Sequence, residues 1–272
     1  MSGIAGLVRL DGSPVVPADL DAMVARMPSR AAGGVATWVS GSVAMATLGS
    51  GSTAVVPAAS KTGPVVAGDV RLDNRAELLS LLAPGEDGAA IPDLGLVGLA
   101  YERWGAEMGP HLFGDFALAV WDPSRLRLVC IRDRFGTKPF VYHRSDRLFA
   151  FASQPVGILE LEDVPREVDE LAIACLLVDE MPEEAGSFYR ALRRLPPGHI
   201  LDVEVGGSQS SPRPYWQLDP ERDVRLASDD EYEQAFRALL LEAVRCRLPD
   251  EGDVGIAFSG GVDSSSIVGA AA

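Results

Sequence analysis

Val254-Gly255-Ile256-Ala257-Phe258-Ser259-Gly260-Gly261-Val262-Asp263-Ser264-Ser265-Ser266 is the stretch from which the rest of the chain is read. The apolar residues Val254–Phe258 predict a short buried strand. Two adjacent glycines after a strand let the backbone turn tightly and bring its N–H groups against an anion. Ser264, Ser265 and Ser266 open the next helix, where the first amides and the dipole favour a phosphate. Asp263 suits a Mg²⁺ that neutralises phosphates, or a helix N-cap, better than a direct phosphate contact. No Gly-Lys-Ser/Thr follows, so the loop is not the P-loop of the common nucleotide hydrolases. A solvated Gly/Ser turn before a capped helix is the plain alternative.

Working outward, Ser228-Asp229-Asp230-Glu231 fits a capping box. Tyr232, Phe236, Leu239, Leu240, Ala243 and Val244 follow at helical spacing. Helix, buried strand, glycine loop and helix start is how an open parallel α/β sheet begins. Further upstream the pattern differs. Short strands are expected at 3–10, 36–39, 43–48, 65–67, 113–122, 126–132, 140–143, 148–152 and 200–205, and helices at 18–27, 75–82, 94–104 and 168–178. Many short strands with a few helices predict a layered α+β domain. The Gly/Ser/Pro-rich stretch after Val205 reads as a linker. The expected division is therefore a first domain over 1–205, a linker over 206–227 and the start of a second domain over 228–272.

The chain of 272 residues has 24 Lys+Arg and 39 Asp+Glu, a net charge of −15. A polyanion is repelled by duplex nucleic acid and by anionic membranes, so neither is expected as a partner. Three scattered cysteines, Cys130, Cys175 and Cys246, make no disulfide framework and no zinc motif. No apolar run reaches the ~18 residues of a membrane span, and the first residues lack the pattern of a signal peptide. A soluble, cytoplasmic protein is the expectation.

Ser259–Ser264 resembles the pyrophosphate loop, Ser-Gly-Gly-x-Asp-Ser, of the ATP pyrophosphatases, enzymes that adenylate a substrate. Phe113–Asp122 is similar to the Gly-x-Phe-Ala-Phe-Ala-x-Trp-Asp strand of the asparagine synthetase family. Arg132-Asp133-Arg134-Phe135-Gly136-Thr137-Lys138-Pro139-Phe140 is close to its Arg-Asp-Arg-Phe-Gly-x-Lys-Pro-Leu stretch. Leu195-Pro196-Pro197-Gly198-His199 and Tyr215-Trp216 resemble its approach to the synthetase domain. On these residues the chain is identified as a member of that family along essentially its whole length. The resemblance implies an Ntn-hydrolase-like αββα sandwich, a glutaminase-like domain of class II amidotransferase type, followed by the first helix, strand and pyrophosphate loop of a parallel α/β synthetase domain. It implies ATP and Mg²⁺, with Ser259, Gly260, Gly261, Asp263 and Ser264 at the pyrophosphate and Asp263 at the metal.

The glutaminase half of the family uses an N-terminal cysteine whose α-amino group is the base. Here Met-Ser-Gly-Ile stands in place of Met-Cys-Gly-Ile, so Ser2 holds the nucleophile position, with a hydroxyl far less reactive than a thiol. The His-Arg-Gly-Pro-Asp segment appears as Pro28-Ser29-Arg30-Ala31-Ala32-Gly33. Gly49-Ser50-Gly51 stands where the arginine for the glutamine carboxylate is expected. The Asn-Gly-Glu-Ile-Tyr-Asn motif becomes Ala67-Gly68-Asp69-Val70-Arg71-Leu72-Asp73-Asn74, and Ala67 cannot supply the oxyanion-hole amide. Loss of one such donor costs on the order of 10²–10³ in rate. Asp93 and Gly68 are the remnants of a glutamine pocket, with Gly95 in place of the usual Glu. His111, His143 and His199 read as structural, and Arg132, Asp133, Arg134 and Lys138 as structural ion pairs.

The expectation is an ATP-dependent amide-forming ligase that works by carboxylate adenylation without glutamine. Family members without the cysteine include β-lactam and lasso-peptide macrolactam synthetases, and the second type is preferred here. That implies a small-molecule or peptide carboxylate substrate and a leader-peptide-binding or protease partner. Two alternatives stand beside it: a glutamine-hydrolysing asparagine synthetase with Ser2 as nucleophile, and a non-enzymatic glutaminase-like binding module or fragment, inactive by itself because only the beginning of the ATP half is present.

Overall fold

Gly3–Arg9 (β1) shows how the first domain is built. Ile4 and Val8 point to one side of the strand, Ala5 and Leu7 to the other, and all four are fully buried. A strand buried on both faces reads as a continuous apolar run, and its neighbours must cover it above and below. The computed structural model describes residues 2–49, 56–57, 63–85, 91–180, 185–207, 210–248 and 252–272.

After β1 come the helix α1 (Pro17–Ala25), the single turn α2 (Pro28–Ala31), and strands β2 (Val35–Ser40), β3 (Val43–Leu48), β4 (Val56–Pro57) and β5 (Val65–Leu72). Helices α3 (Arg75–Leu82) and α4 (Asp93–Trp104) and a 3₁₀ segment, Gly105–His111, lead to the hairpin β6 (Gly114–Asp122) and β7 (Arg127–Arg132). A second hairpin, β8 (Val141–Arg144) and β9 (Leu148–Ala152), precedes the turn α5 (Pro155–Ile158) and helix α6 (Glu170–Leu177). Strands β10 (Leu192–Arg194), β11 (His199–Glu204) and β12 (Arg213–Pro214) close the domain.

Among the described residues these strands form two antiparallel sheets, ordered β10-β8-β9-β1-β3-β2 and β12-β11-β7-β6-β5-β4. Three buried clusters mark the layers. Phe140, just before β8, and Phe149 and Phe151 of β9 meet Ala117, Trp121 and Leu201 of the second sheet between the sheets. Leu20 and Met23 of α1 and Ile158 of α5 cover the outer face of the first sheet. Leu94, Val97 and Tyr101 of α4 cover the outer face of the second. The layer order is αββα, as expected.

Two expectations are corrected. The first compact unit extends to Gln217, so the front of the expected linker belongs to it. Arg213–Pro214 pair with β11, and Tyr215 donates its hydroxyl hydrogen to the Arg132 carbonyl at 2.9 Å. The second unit, Leu218–Ala272, holds α7 (Asp229–Arg245) and α8 (Val262–Ala271). Ser228 caps α7 by accepting from the Glu231 N–H. The second correction is Val254–Phe258, which makes no strand: Val254 is 48% and Phe258 64% exposed. An apolar pentapeptide becomes a strand only where neighbouring strands take its backbone hydrogen bonds, and the described residues supply none. No helix among the described residues is long and apolar enough to cross a membrane.

Candidate functional site

Ser2 stands just ahead of β1, and the Ile4–Thr47 pairing puts Thr47 of β3 next to the same strand end. Facing them, β5 of the other sheet carries Gly68 and Asp69. The Gly68 N–H donates to Thr47 Oγ1 at 3.2 Å and so stitches the sheets together. A Cβ on Gly68 would lie 2.7 Å from the Cδ2 methyls of both Leu94 and Leu118, so a larger residue would have to push both leucines aside.

Asp69 is the centre of the site. It is 2% exposed, and its Oδ1 accepts from the Ser2 hydroxyl at 2.7 Å and from Lys138 Nζ at 2.7 Å. Arg30 of α2 faces its Oδ2 at 3.9 Å and donates to the Ser2 carbonyl. A buried carboxylate is costly unless paired, and here two cations supply the pairing. The Ser2 hydroxyl thus spends its proton on Asp69.

The loop that delivers Lys138 is folded by its own side chains. Asp133, 1% exposed, accepts backbone N–H bonds from Phe135 and Thr137 on Oδ1, at 3.1 and 2.9 Å, and from Phe116 and Lys138 on Oδ2, at 3.3 and 2.9 Å. Arg132 donates to the carbonyls of Lys138, Leu195 and Gly136 at 2.7–2.8 Å. Both residues thus satisfy loop backbone with their side chains. Arg134 lies 3.8 Å from the Phe113 ring centroid, where burial lowers its pKa. Lys138 makes the expected ion pair, with Asp69.

Asp93 sits at the start of α4, with Oδ2 accepting from the Leu72 N–H at 2.9 Å and Oδ1 from Arg75 at 2.6 Å. Asp93, expected as a remnant of a glutamine pocket, is thus joined to Arg75 and to the end of β5. The stretch around Ser50 and Gly51 lies outside the described residues. His111 stacks on Trp104 with centroids 4.0 Å apart, and His143 and His199 bond backbone carbonyls through Nδ1 at 2.8 and 2.7 Å. Near the end of α4, Tyr101 donates to Asp122 at 3.2 Å, and burial, then the Asp122 charge, push its pKa up to about 12.

In the second unit the glycine loop is exposed. Gly260 has φ +79°, the left-handed turn that glycine permits. Gly261 is the N-cap of α8 and makes no side-chain cap bond, so the first amides of the helix have no side-chain acceptor at that cap. Ser264 and Ser265 donate to the Gly261 carbonyl at 3.1 and 2.8 Å, and Ser259 Oγ lies 3.1 Å from Ser264 Oγ. A loop with open amides, hydroxyls and an exposed Asp263 fits a metal-bound phosphate.

Apart from Asp93, which stands with Arg75 and Leu72, the expected site residues fall into two groups, one in each unit. Ser2 and Gly68 share the first with Arg30, Thr47, Asp69 and Lys138, which the sequence does not mark as site residues. Ser259, Gly260, Gly261, Asp263 and Ser264 share the second. Asp69 has one legible signal, an acid inside an apolar strand.

The family model described as glutamine amidotransferase domain matches residues 1–216, and that described as asparagine synthase matches residues 235–272. An amidase of Gibberella zeae, chry2, is 31% identical over 179 residues, which is 65% of this chain and 26% of that protein. Asparagine synthetase [glutamine-hydrolyzing] 3 of Bacillus subtilis is 31% identical over 174 residues, 64% of this chain and 28% of that one. The chain spans about a quarter of the length of these curated relatives. Glutamine phosphoribosylpyrophosphate amidotransferase from B. subtilis has the same fold, at TM-score 0.54 and 15% identity over 79% of this chain and 50% of that one.

Proposed function

The chain belongs to the asparagine synthetase family, with a glutamine amidotransferase domain over residues 1–216, and from that premise we propose that its protein is an ATP-dependent, amide-forming ligase that takes no nitrogen from glutamine. The observation that carries the glutamine-independent reading is the bond from the Ser2 hydroxyl to buried Asp69, itself held by Lys138. An N-terminal nucleophile passes its proton to the α-amino group, whereas this hydroxyl is committed to a carboxylate. Ala67 offers no side-chain donor to an oxyanion, and Asp93 is joined to Arg75.

In the second unit, the Gly260–Gly261 amides and the Ser259 and Ser264 hydroxyls would hold the pyrophosphate of ATP, and Asp263 its Mg²⁺. ATP supplies activation of a carboxylate as its adenylate, with release of pyrophosphate. With no glutamine-derived ammonia, the attacking amine belongs to the substrate itself. We take that substrate to be a peptide whose N-terminus closes on an acidic side chain, as in lasso-peptide macrolactam synthetases, with a leader-peptide-binding or protease partner.

Two assays on the full-length protein test this. Peptide-dependent ATP–pyrophosphate exchange is expected with or without glutamine, reduced by about tenfold or more in Ser264→Ala. Ammonia release from glutamine is expected at the level of the blank. Release that disappears in Ser2→Ala would overturn the glutamine-independent reading.

A further inference from the structure

Among the described residues the outermost strands are β10 and β2 in the first sheet and β12 and β4 in the second. An exposed edge offers unpaired backbone groups to any other strand, and proteins blunt it with short strands, charge or proline. β10 has 3 residues and carries Arg193 and Arg194. β12 and β4 have 2 residues each and hold Pro214 and Pro57, which lack an N–H. β2 has none of these devices. It runs for 6 residues, Val-Ala-Thr-Trp-Val-Ser, and Val35 and Val39 are 43% and 40% exposed. Between Arg30 and Asp69 the sequence holds a single charged residue, Lys61, in a chain of net charge −15.

The Gly49 N–H donates to the Gly34 carbonyl at 3.0 Å, and antiparallel pairs alternate between bonded and non-bonded. In the β2–β3 register Ala36, Trp38 and Ser40 therefore bond to β3, while Val35, Thr37 and Val39 aim their N–H and C=O groups outward. Trp38 stands opposite Met45 and, with Ala36, faces the layer between the sheets, whereas Val35, Thr37 and Val39 face the outer side. On that outer side the strand reads the same in both directions about Thr37, Val-x-Thr-x-Val. We infer that β2 pairs antiparallel with β2 of a second copy of this chain, about a two-fold axis at Thr37. Thr37 then exchanges both backbone bonds with the partner's Thr37, and Val35 with the partner's Val39. Val opposite Val and Thr opposite Thr are favourable cross-strand pairs, and on the inner side the bulky Trp38 meets the partner's small Ala36. Copies of charge −15 repel one another, and this neutral edge is where they meet with least repulsion. The blunted edges elsewhere stop the assembly at a closed dimer. The inference stands apart from the ligase reading, since it concerns other residues.

Sedimentation velocity of the full chain, from about 1 to 100 μM, tests it. A concentration-dependent dimer is expected. Thr37→Lys, at an exposed position, sets like charges opposite each other at the axis and is expected to weaken the dimer about tenfold or more, with the urea midpoint unchanged. Thr37→Val keeps the β-branch and is expected to keep the dimer. Hydrogen exchange reads the register: the Val35, Thr37 and Val39 amides are expected to slow as concentration rises. A monomer throughout that range overturns the inference. So does a dimer that Thr37→Lys leaves intact, or one in which those amides exchange at a rate independent of concentration. Should Thr37→Lys fail to fold, amide exchange in the parent decides alone.

Discussion

Asp69 links residues that lie far apart in the chain: the Ser2 hydroxyl is 67 positions upstream, and Lys138 arrives from the other side of β6 and β7. No sequence spacing announces such a trio. The departure of Ala67–Asn74 from the family motif is plain at Ala67 and says nothing of the partners Asp69 finds. Asp69→Asn leaves Lys138 and Arg30 facing a neutral amide, and urea unfolding is expected to show a loss of roughly 2–4 kcal/mol. The double variant Asp69→Asn/Lys138→Met is expected to lose less than the sum of the two single variants. Tyr101 gives a pH signature. Its folded pKa, about 12, lies above the ordinary 10.0. The stability from the neutral phenol is therefore complete below pH 10 and lost as pH rises towards 12, by up to roughly 2–3 kcal/mol. Burial raises the pKa of Tyr142 and Tyr215 in the same direction. Urea midpoints at pH 9 and 11.5 are expected to differ less in Tyr101→Phe than in the parent.

At the scale of elements, β6 begins at a constrained point. Gly114 has φ +139°, and a Cβ there would sit 2.0 Å from the Arg71 carbonyl oxygen of β5. Gly114→Ala must shift one strand against the other, and a drop of about 2–3 kcal/mol in thermal or urea unfolding is expected. Elements with their own pattern are legible in the sequence: β1, β3, β6, β7, β9 and α4 carry apolar runs or periodicity that tertiary contacts only extend. β10 and β12 are not, because strands of three and two residues exist only through their partners, β8 and β11. The apolar run of β5 breaks at Asp69 and Arg71, which predicts an end near Ala67. The strand continues to Leu72 because those polar side chains find ions, Lys138 and Asp115. Val254–Phe258 shows the converse, a strand pattern without a sheet.

For the whole molecule, the boundary after Gln217 predicts where the chain is cut. Arg222 and Arg225 are exposed and lie before α7. Brief trypsin treatment is expected to cleave there first and to leave an N-terminal product that keeps a cooperative melt, read by mass spectrometry and circular dichroism. The sheet order has a consequence during synthesis. β1 leaves the ribosome before both strands that flank it, β3 and β9. β3 is soon available, but β9 ends at Ala152. At typical translation speeds of roughly 5–20 residues per second, the free edge of β1 waits on the order of 7–30 seconds for its second neighbour. Throughout that interval a nascent chain displays an unpaired apolar edge, a natural client for a ribosome-associated chaperone.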